Sequence, residues 1–309
     1  MRNAFINTLE KEANKNRNIL LLTGDLGFTV FENFQKKFSK RFFNMGVAEA
    51  NMMSIAAGLA LSGKIPFVYS IAPFIALRAY EQIRNDVCMH NANVKIIGVG
   101  GGLVYTHAGP THHIAEDLAV MRVLPKMTVI APIDPIEVRL AIPQILKKKG
   151  PAYLRLAKKG EPHLHQGKIK FEIGKGIIIK KGKDICLITC GPIAYNTLKA
   201  AFLLDKEKIS TAVVSMHTIK PLDTNLLENL TKKYKAIFTV EEHSVIGGLG
   251  GAVAEFLAEN LRKNLIFKRI GLNDCFCHEI GDYDFLRKIY NLSAQKIAKT
   301  IIRSLKKHE

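Results

Sequence analysis

Three stretches of the sequence place reactive side chains where an enclosed site could use them. The first is Asn44-Met45-Gly46-Val47-Ala48-Glu49-Ala50-Asn51-Met52, which leads into the small-residue run Ile55-Ala56-Ala57-Gly58-Leu59-Ala60. A carboxylate that opens a helix is ordinarily a solvated group complementing the helix dipole. Here both flanks are apolar or small, so Glu49 is expected inside an enclosed site, where it needs a specific partner. The second stretch, Pro73-Phe74-Ile75-Ala76-Leu77-Arg78-Ala79-Tyr80-Glu81-Gln82-Ile83-Arg84-Asn85, opens a helix with Pro in its first turn. Phe74 reads either as a core aromatic or as a stacking face for a planar ring. The third runs from Gly100-Gly101-Gly102 through His107 to Gly109-Pro110-Thr111-His112-His113. Its glycines permit close backbone approach, and its histidines offer proton donors near neutral pH. His107, His112 and His113 lack the paired spacing of metal ligands, so no metal site is expected there.

Apolar, β-rich runs alternating with helical patterns must position these stretches, which is the signature of an α/β chain with mainly parallel sheets. In the first half the expected strands are Ile19–Thr23, Phe42–Met45, Pro66–Ser70, Val94–Val99, Thr128–Ala131 and Ala152–Leu156. Helices are expected near Ala48–Ser62, Pro73–His90, Ile114–Arg122 and Pro135–Lys149. The glycine- and histidine-rich stretch then falls at the carboxyl end of a strand, where open α/β sheets place ligands. The polar, breaker-rich segment Lys159–Lys175 interrupts the pattern. Beyond it, strands are expected at Gly176–Lys180, Ile185–Cys190, Thr211–Ser215 and Ala236–Glu241. Helices follow near Ile193–Leu204, Asn225–Lys233 and Leu249–Leu261, with a final pair from about Phe285. The expected organisation is two domains, 1–160 and 176–309, joined by a linker at 161–175, each a mainly parallel sheet flanked by helices.

Composition narrows the function classes. The 309 residues are 48% hydrophobic and 23% charged, as in a chain with a sizeable core. No apolar run reaches the roughly 18 residues of a membrane span. The N-terminus turns acidic and amphipathic where a signal peptide would need an apolar core, so a cytoplasmic location is expected. Of the five cysteines, Cys186 and Cys190 fall in or beside an apolar strand run and read as buried thiols. The net charge of +18 comes from short lysine groups that are not interleaved with aromatics, and the chain has no Trp. A solvated basic surface accounts for this charge better than a nucleic-acid interface.

The glutamate block, the Arg78–Asn85 block, Gly109-Pro110-Thr111-His112 and Glu116-Asp117-Leu118-Ala119-Val120-Met121-Arg122-Val123-Leu124-Pro125 together resemble the pyrimidine-binding domain of transketolases. Pro221-Leu222-Asp223 and Glu241-Glu242-His243-Ser244-Val245-Ile246-Gly247-Gly248-Leu249-Gly250 are similar to the C-terminal domain of that family. The resemblance implies a thiamine-diphosphate pyrimidine-binding fold followed by a transketolase C-terminal-like domain. It also implies residue roles. Glu49 would hydrogen-bond a pyrimidine nitrogen of thiamine diphosphate and favour the imino tautomer that deprotonates the thiazolium carbon. Phe74 would stack on the aminopyrimidine, and Asp25 would lie near the thiazolium side of a subunit interface. His112 would face substrate and stabilise a developing alkoxide, and Lys158 would stand where the family has a phosphate-binding arginine.

Family members of full length carry Gly-Asp-Gly and a downstream Asn to hold Mg2+ on the diphosphate. This sequence has no Gly-Asp-Gly. The resemblance therefore implies one subunit of a split transketolase, with Mg2+ and the diphosphate held mainly by a partner chain in a heterotetramer of two copies of each. Ala108 and Gly100 replace an aspartate and a histidine of the family, which puts the ordinary pentose-phosphate substrates in question. Two other readings stay open. One is a thiamine enzyme acting on 2-oxo acids, either the beta subunit of an oxo-acid dehydrogenase or a deoxyxylulose-phosphate-synthase-like chain. The other is a non-catalytic regulatory subunit.

Overall fold

In the computed structural model, all residues except 159, 261–263 and 308–309 are described. Lys159 and Leu261, expected ends of the breaker-rich segment and of the helix from Leu249, lie outside them. Twelve strands among the described residues form two sheets. The seven-stranded sheet has the order β10-β5-β6-β4-β3-β1-β2. Its members are β1 (Ile19–Thr23), β2 (Phe42–Asn44), β3 (Ile65–Ile71), β4 (Lys95–Val99), β5 (Thr128–Ile130), β6 (Ala152–Leu156) and, from far along the chain, β10 (Thr218–Lys220). All pairings are parallel except that of β10 with β5. The five-stranded sheet, β12-β11-β8-β9-β7, consists of β7 (Ile177–Lys180), β8 (Ile185–Thr189), β9 (Thr211–Ser215), β11 (Ala236–Ser244) and β12 (Ile266–Leu272). Only β7 runs antiparallel to its neighbour. The protein is thus α/β with two mainly parallel sheets.

Strands buried on both faces explain the continuous apolar runs, since parallel sheets are covered by helices on either side. All five residues of β1, β4, β6, β8 and β9 are buried. The covering helices are α1 (Arg2–Lys15), α2 (Glu32–Lys37), α3 (Glu49–Leu61), α4 (the single turn Tyr80–Gln82), α5 (Asp117–Val123), α6 (Pro135–Lys147), α7 (Ala194–Lys206), α8 (Thr224–Lys233), α9 (Leu249–Glu259), α10 (Tyr283–Ile289) and α11 (Ala294–Lys306). The helix expected over Pro73–His90 is not one regular helix. It is α4 flanked by two π-helical segments, Phe74–Arg78 and Ile83–Met89. The helix expected from Ile114 starts at Asp117, because Ile114 is held in a bridge with Gly102.

One of the buried apolar clusters joins the two halves. It runs from Leu22 and Met52 through Met121 and Val129 to Ile188, Ile219 and Leu227. Residues 160–175 contain no helix or strand, yet they are pinned. Asp134 Oδ2 accepts from Leu164 N at 2.9 Å, His165 Nε2 lies 2.9 Å from the buried Glu137 Oε1, and Phe171 stacks on His217 at 4.0 Å. Cys186 and Cys190 are buried free thiols, as are Cys88 and Cys277, whereas Cys275 is exposed. None of the described helices is long and apolar enough to cross a membrane.

Candidate functional site

The carboxyl ends of β1 and β3 and the first turn of α3 meet at Glu49. Its side chain is only 1% exposed, although it opens a helix. Ser70, on β3, donates its hydroxyl to Glu49 Oε1 at 2.9 Å, and Arg78 Nη1 donates to Oε2 at 3.2 Å. Gly24 closes the other side, where a Cβ would come within 3.3 Å of Oε1. A buried carboxylate with both oxygens engaged is held in one orientation, as a proton-handling group requires.

The π-helical turn after β3 sets two side chains beside Glu49. Arg78 lies over the Phe74 ring, its Cζ 3.9 Å from the centroid. The His112 ring meets Phe74 edge-on at 5.1 Å, Tyr105 lies 6.0 Å from His112, and Lys158 Nζ is 4.9 Å from the Tyr105 centroid. The structure therefore brings Glu49, Phe74, His112 and Lys158 into one contact chain. Burial, followed by the nearby His113 and Arg78, holds the His112 imidazole below its ordinary pKa. This favours the uncharged imidazole, whose Nδ1 lies 3.0 Å from Thr111 Oγ1.

Asp25, next to Gly24, is exposed and touches Asn44 rather than these side chains. It has φ +54°, and its carboxylate and backbone N–H pair reciprocally with the Asn44 side chain at 2.9 and 3.0 Å. The three histidines diverge: His107 is exposed, and His113 is buried with Nδ1 3.2 Å from Cys277 O. Gly100 has φ +80°, and a Cβ there would fall 2.0 Å from the Tyr105 ring, so the loop that carries Tyr105 excludes any side chain at this position.

The loop rests on a buried polar network that spans both halves. Arg155 Nε pairs with Asp117 Oδ2 at 3.0 Å, and Arg155 Nη2 donates to Glu242 O at 3.0 Å. Glu242 Oε1 accepts from Leu103 N at 2.9 Å, while Tyr283 and Arg287 of α10 donate to the same carboxylate. Ser70, Arg78 and Tyr105 are not among the site residues expected from the sequence. For Arg78 a signal existed, since it follows Phe74 by one helical turn. For Ser70 and Tyr105 there was none, because their partners are distant in sequence.

The pyrimidine-binding domain of transketolases matches residues 1–161, and the transketolase C-terminal domain matches residues 174–297. This chain belongs to the transketolase family. It is 43% identical over 99% of its length to a chain of Methanocaldococcus jannaschii named for the C-terminal section of transketolase, covering 96% of that chain. It is 36% identical over 97% of its length to a 6-deoxy-6-sulfo-D-fructose transketolase subunit of a Clostridium species, covering 92% of it. A solved structure described as a split gene transketolase, an inactive beta4 tetramer, superposes with a TM-score of 0.90 at 39% identity, over 99% of this chain and 98% of the other. Both domain folds expected from the sequence are those of the family, and the chain has a transferase-type role.

Proposed function

We propose that this chain is the pyrimidine-binding subunit of a split, thiamine-diphosphate-dependent transketolase that moves a two-carbon ketol unit from a ketose to an aldehyde. The observation that carries the reading is the buried Glu49 carboxylate beside the half-buried rings of Phe74 and His112. These groups fit an aminopyrimidine, which needs a carboxylate for a ring nitrogen and an aromatic face for its plane. When bound, thiamine diphosphate would supply the electron sink for carbon–carbon cleavage. Glu49 would hold a proton at the pyrimidine nitrogen, and Phe74 would orient the ring. Neutral His112 would donate to the substrate oxygen on which charge develops. Lys158 would attract an anionic group at the remote end of the sugar, and Asp25 would serve at the subunit interface on the thiazolium side. In this reading 1–160 and 176–309 act as domains joined by 161–175. Mg2+ and the diphosphate belong to a partner chain, with two of each chain in the assembly, acting in the cytoplasm on sugar substrates. Support comes from relatives named as transketolase subunits and from the neighbour described as an inactive tetramer of beta chains.

The purified chain is expected to show no tight binding of thiamine diphosphate with Mg2+ in calorimetry, and no ketol transfer until the partner is added. Sub-micromolar binding by the chain alone would sink the split-enzyme reading.

His112 and Lys158 should separate in kinetics. Lys158→Ala is expected to raise KM for an anionic donor more than it lowers kcat, because a remote contact supplies uniform binding. His112→Ala should chiefly lower kcat, since its hydrogen bond strengthens as charge develops. Steady-state assays with phosphorylated and unphosphorylated ketoses check both. A Lys158→Ala variant that is silent with every anionic donor would make Lys158 a surface lysine only. With Gly100 and Ala108 offering no polar contact, reduced preference for short phosphorylated sugars is expected in the same assays.

A further inference from the structure

The side chain that touches both Glu49 and Phe74 is one for which the reading above has no use. Arg78 is planar, lies 3.9 Å over the Phe74 ring and donates to Glu49 Oε2 at 3.2 Å. Those are the two contacts an aminopyrimidine would need in this place: a flat face on the aromatic ring and a donor to the buried carboxylate. A guanidinium supplies both, because its delocalised plane stacks on aromatic rings and its N–H groups match a carboxylate.

Two further features bear on Arg78. It ends the π-helical segment Phe74–Arg78, and such segments occur disproportionately at functional sites. Its side chain is 48% exposed whereas that of Glu49 is 1% exposed. The carboxylate is therefore fixed, while its cation has solvent to move into. The half-exposed guanidinium keeps water contact when it parts, so the cost of parting falls on the buried Glu49, which gains a new donor as the pyrimidine enters.

We infer that Arg78 is an internal occupant of the pyrimidine position, which it holds until the pyrimidine ring displaces it. The inference rests on the split-transketolase reading and adds a competitor to it. While Arg78 is in place, Glu49 keeps a charge partner and Phe74 keeps a covered face, so the chain by itself has no empty, unsatisfied carboxylate in its interior. Displacement exchanges one stacked donor for another, and Arg78 thereby lowers the affinity and the association rate of any pyrimidine.

The test uses the full chain and the bare pyrimidine fragment, 4-amino-5-hydroxymethyl-2-methylpyrimidine, which carries neither thiazolium nor diphosphate. Ligand-observed NMR titration should show Arg78→Ala binding the fragment about 5- to 10-fold more tightly than the parent, the size of one weak stacked ion pair. Arg78→Lys should fall between them, since an ammonium keeps the charge at Glu49 but loses the stacked plane. In the assembled two-chain enzyme, Arg78→Ala should also accelerate thiamine diphosphate association. Equal or weaker fragment binding by Arg78→Ala, including no binding by either chain, overturns the inference. Binding of thiamine diphosphate by the unmodified assembled enzyme is scored separately, because its failure would remove the parent reading whatever Arg78 does.

Discussion

Glu49→Gln is expected to fold like the parent chain and to slow the assembled enzyme roughly 100-fold or more, the usual scale of a general acid–base contribution. Glutamine keeps the length and planarity of the side chain. Its amide oxygen can accept from Ser70 as Glu49 Oε1 does now at 2.9 Å. Its NH2 group would then face Arg78, which is half-exposed and free to turn to solvent. Folding should therefore survive the exchange. The proton does not, because an amide cannot hold one at a pyrimidine nitrogen in the way a carboxyl group can. Thermal unfolding of the chain and turnover of the assembled enzyme, measured on the same preparation, check the two halves of the expectation. A near-normal rate would take Glu49 out of its assigned role.

Arg155→Met is expected to cost about 3–5 kcal/mol of stability, the typical penalty for leaving a buried charge without its partner. Both side chains of the Arg155–Asp117 pair are almost fully enclosed, at 3% and 0% exposure. Tyr153 donates to the same Asp117 oxygen at 2.8 Å and cannot neutralise it. Arg155 also binds Glu242 O at 3.0 Å, and a Cβ at Gly101 would fall 1.9 Å from its Nε, so it lies flat against the glycine loop. Removing it should loosen the support of His112 as well as the fold. The double variant Arg155→Met with Asp117→Leu should recover much of the loss, since neither charge is then stranded. Urea unfolding of both variants decides this. A single variant that loses less than about 1 kcal/mol would show that water or a shifted side chain neutralises Asp117, and the pair would not be what fastens the loop.

How far the sequence could be read depended on whether a signal was local. Strands buried on both faces appear as unbroken apolar runs, so β1, β6 and β9 fall where the sequence puts them, at Ile19–Thr23, Ala152–Leu156 and Thr211–Ser215. The two strands that were missed are edge strands. β10 is three residues long and pairs on one side only with β5, while β12 carries the exposed Lys268 and Arg269. Edge strands need no continuous apolar run, because one side or face meets solvent. The small residues around Glu49 were likewise enough to predict its enclosure.

By itself, then, the sequence determined the α/β class and the enclosed carboxylate, and it offered the loop beyond β4 as a candidate place for chemistry. Only the tertiary structure decided which side chains meet there. Tyr105 and Lys158 touch because β4 and β6 are neighbours in the sheet. His112 rather than His107 or His113 faces Phe74 because Glu242, in the other half of the chain, holds Leu103 and fixes the course of the loop. Arg78 reaches Glu49 because the expected helix is π-helical at its start. These contacts join residues that lie apart in sequence or depend on local departures from a regular helix, and a pattern of residue types along the chain encodes neither.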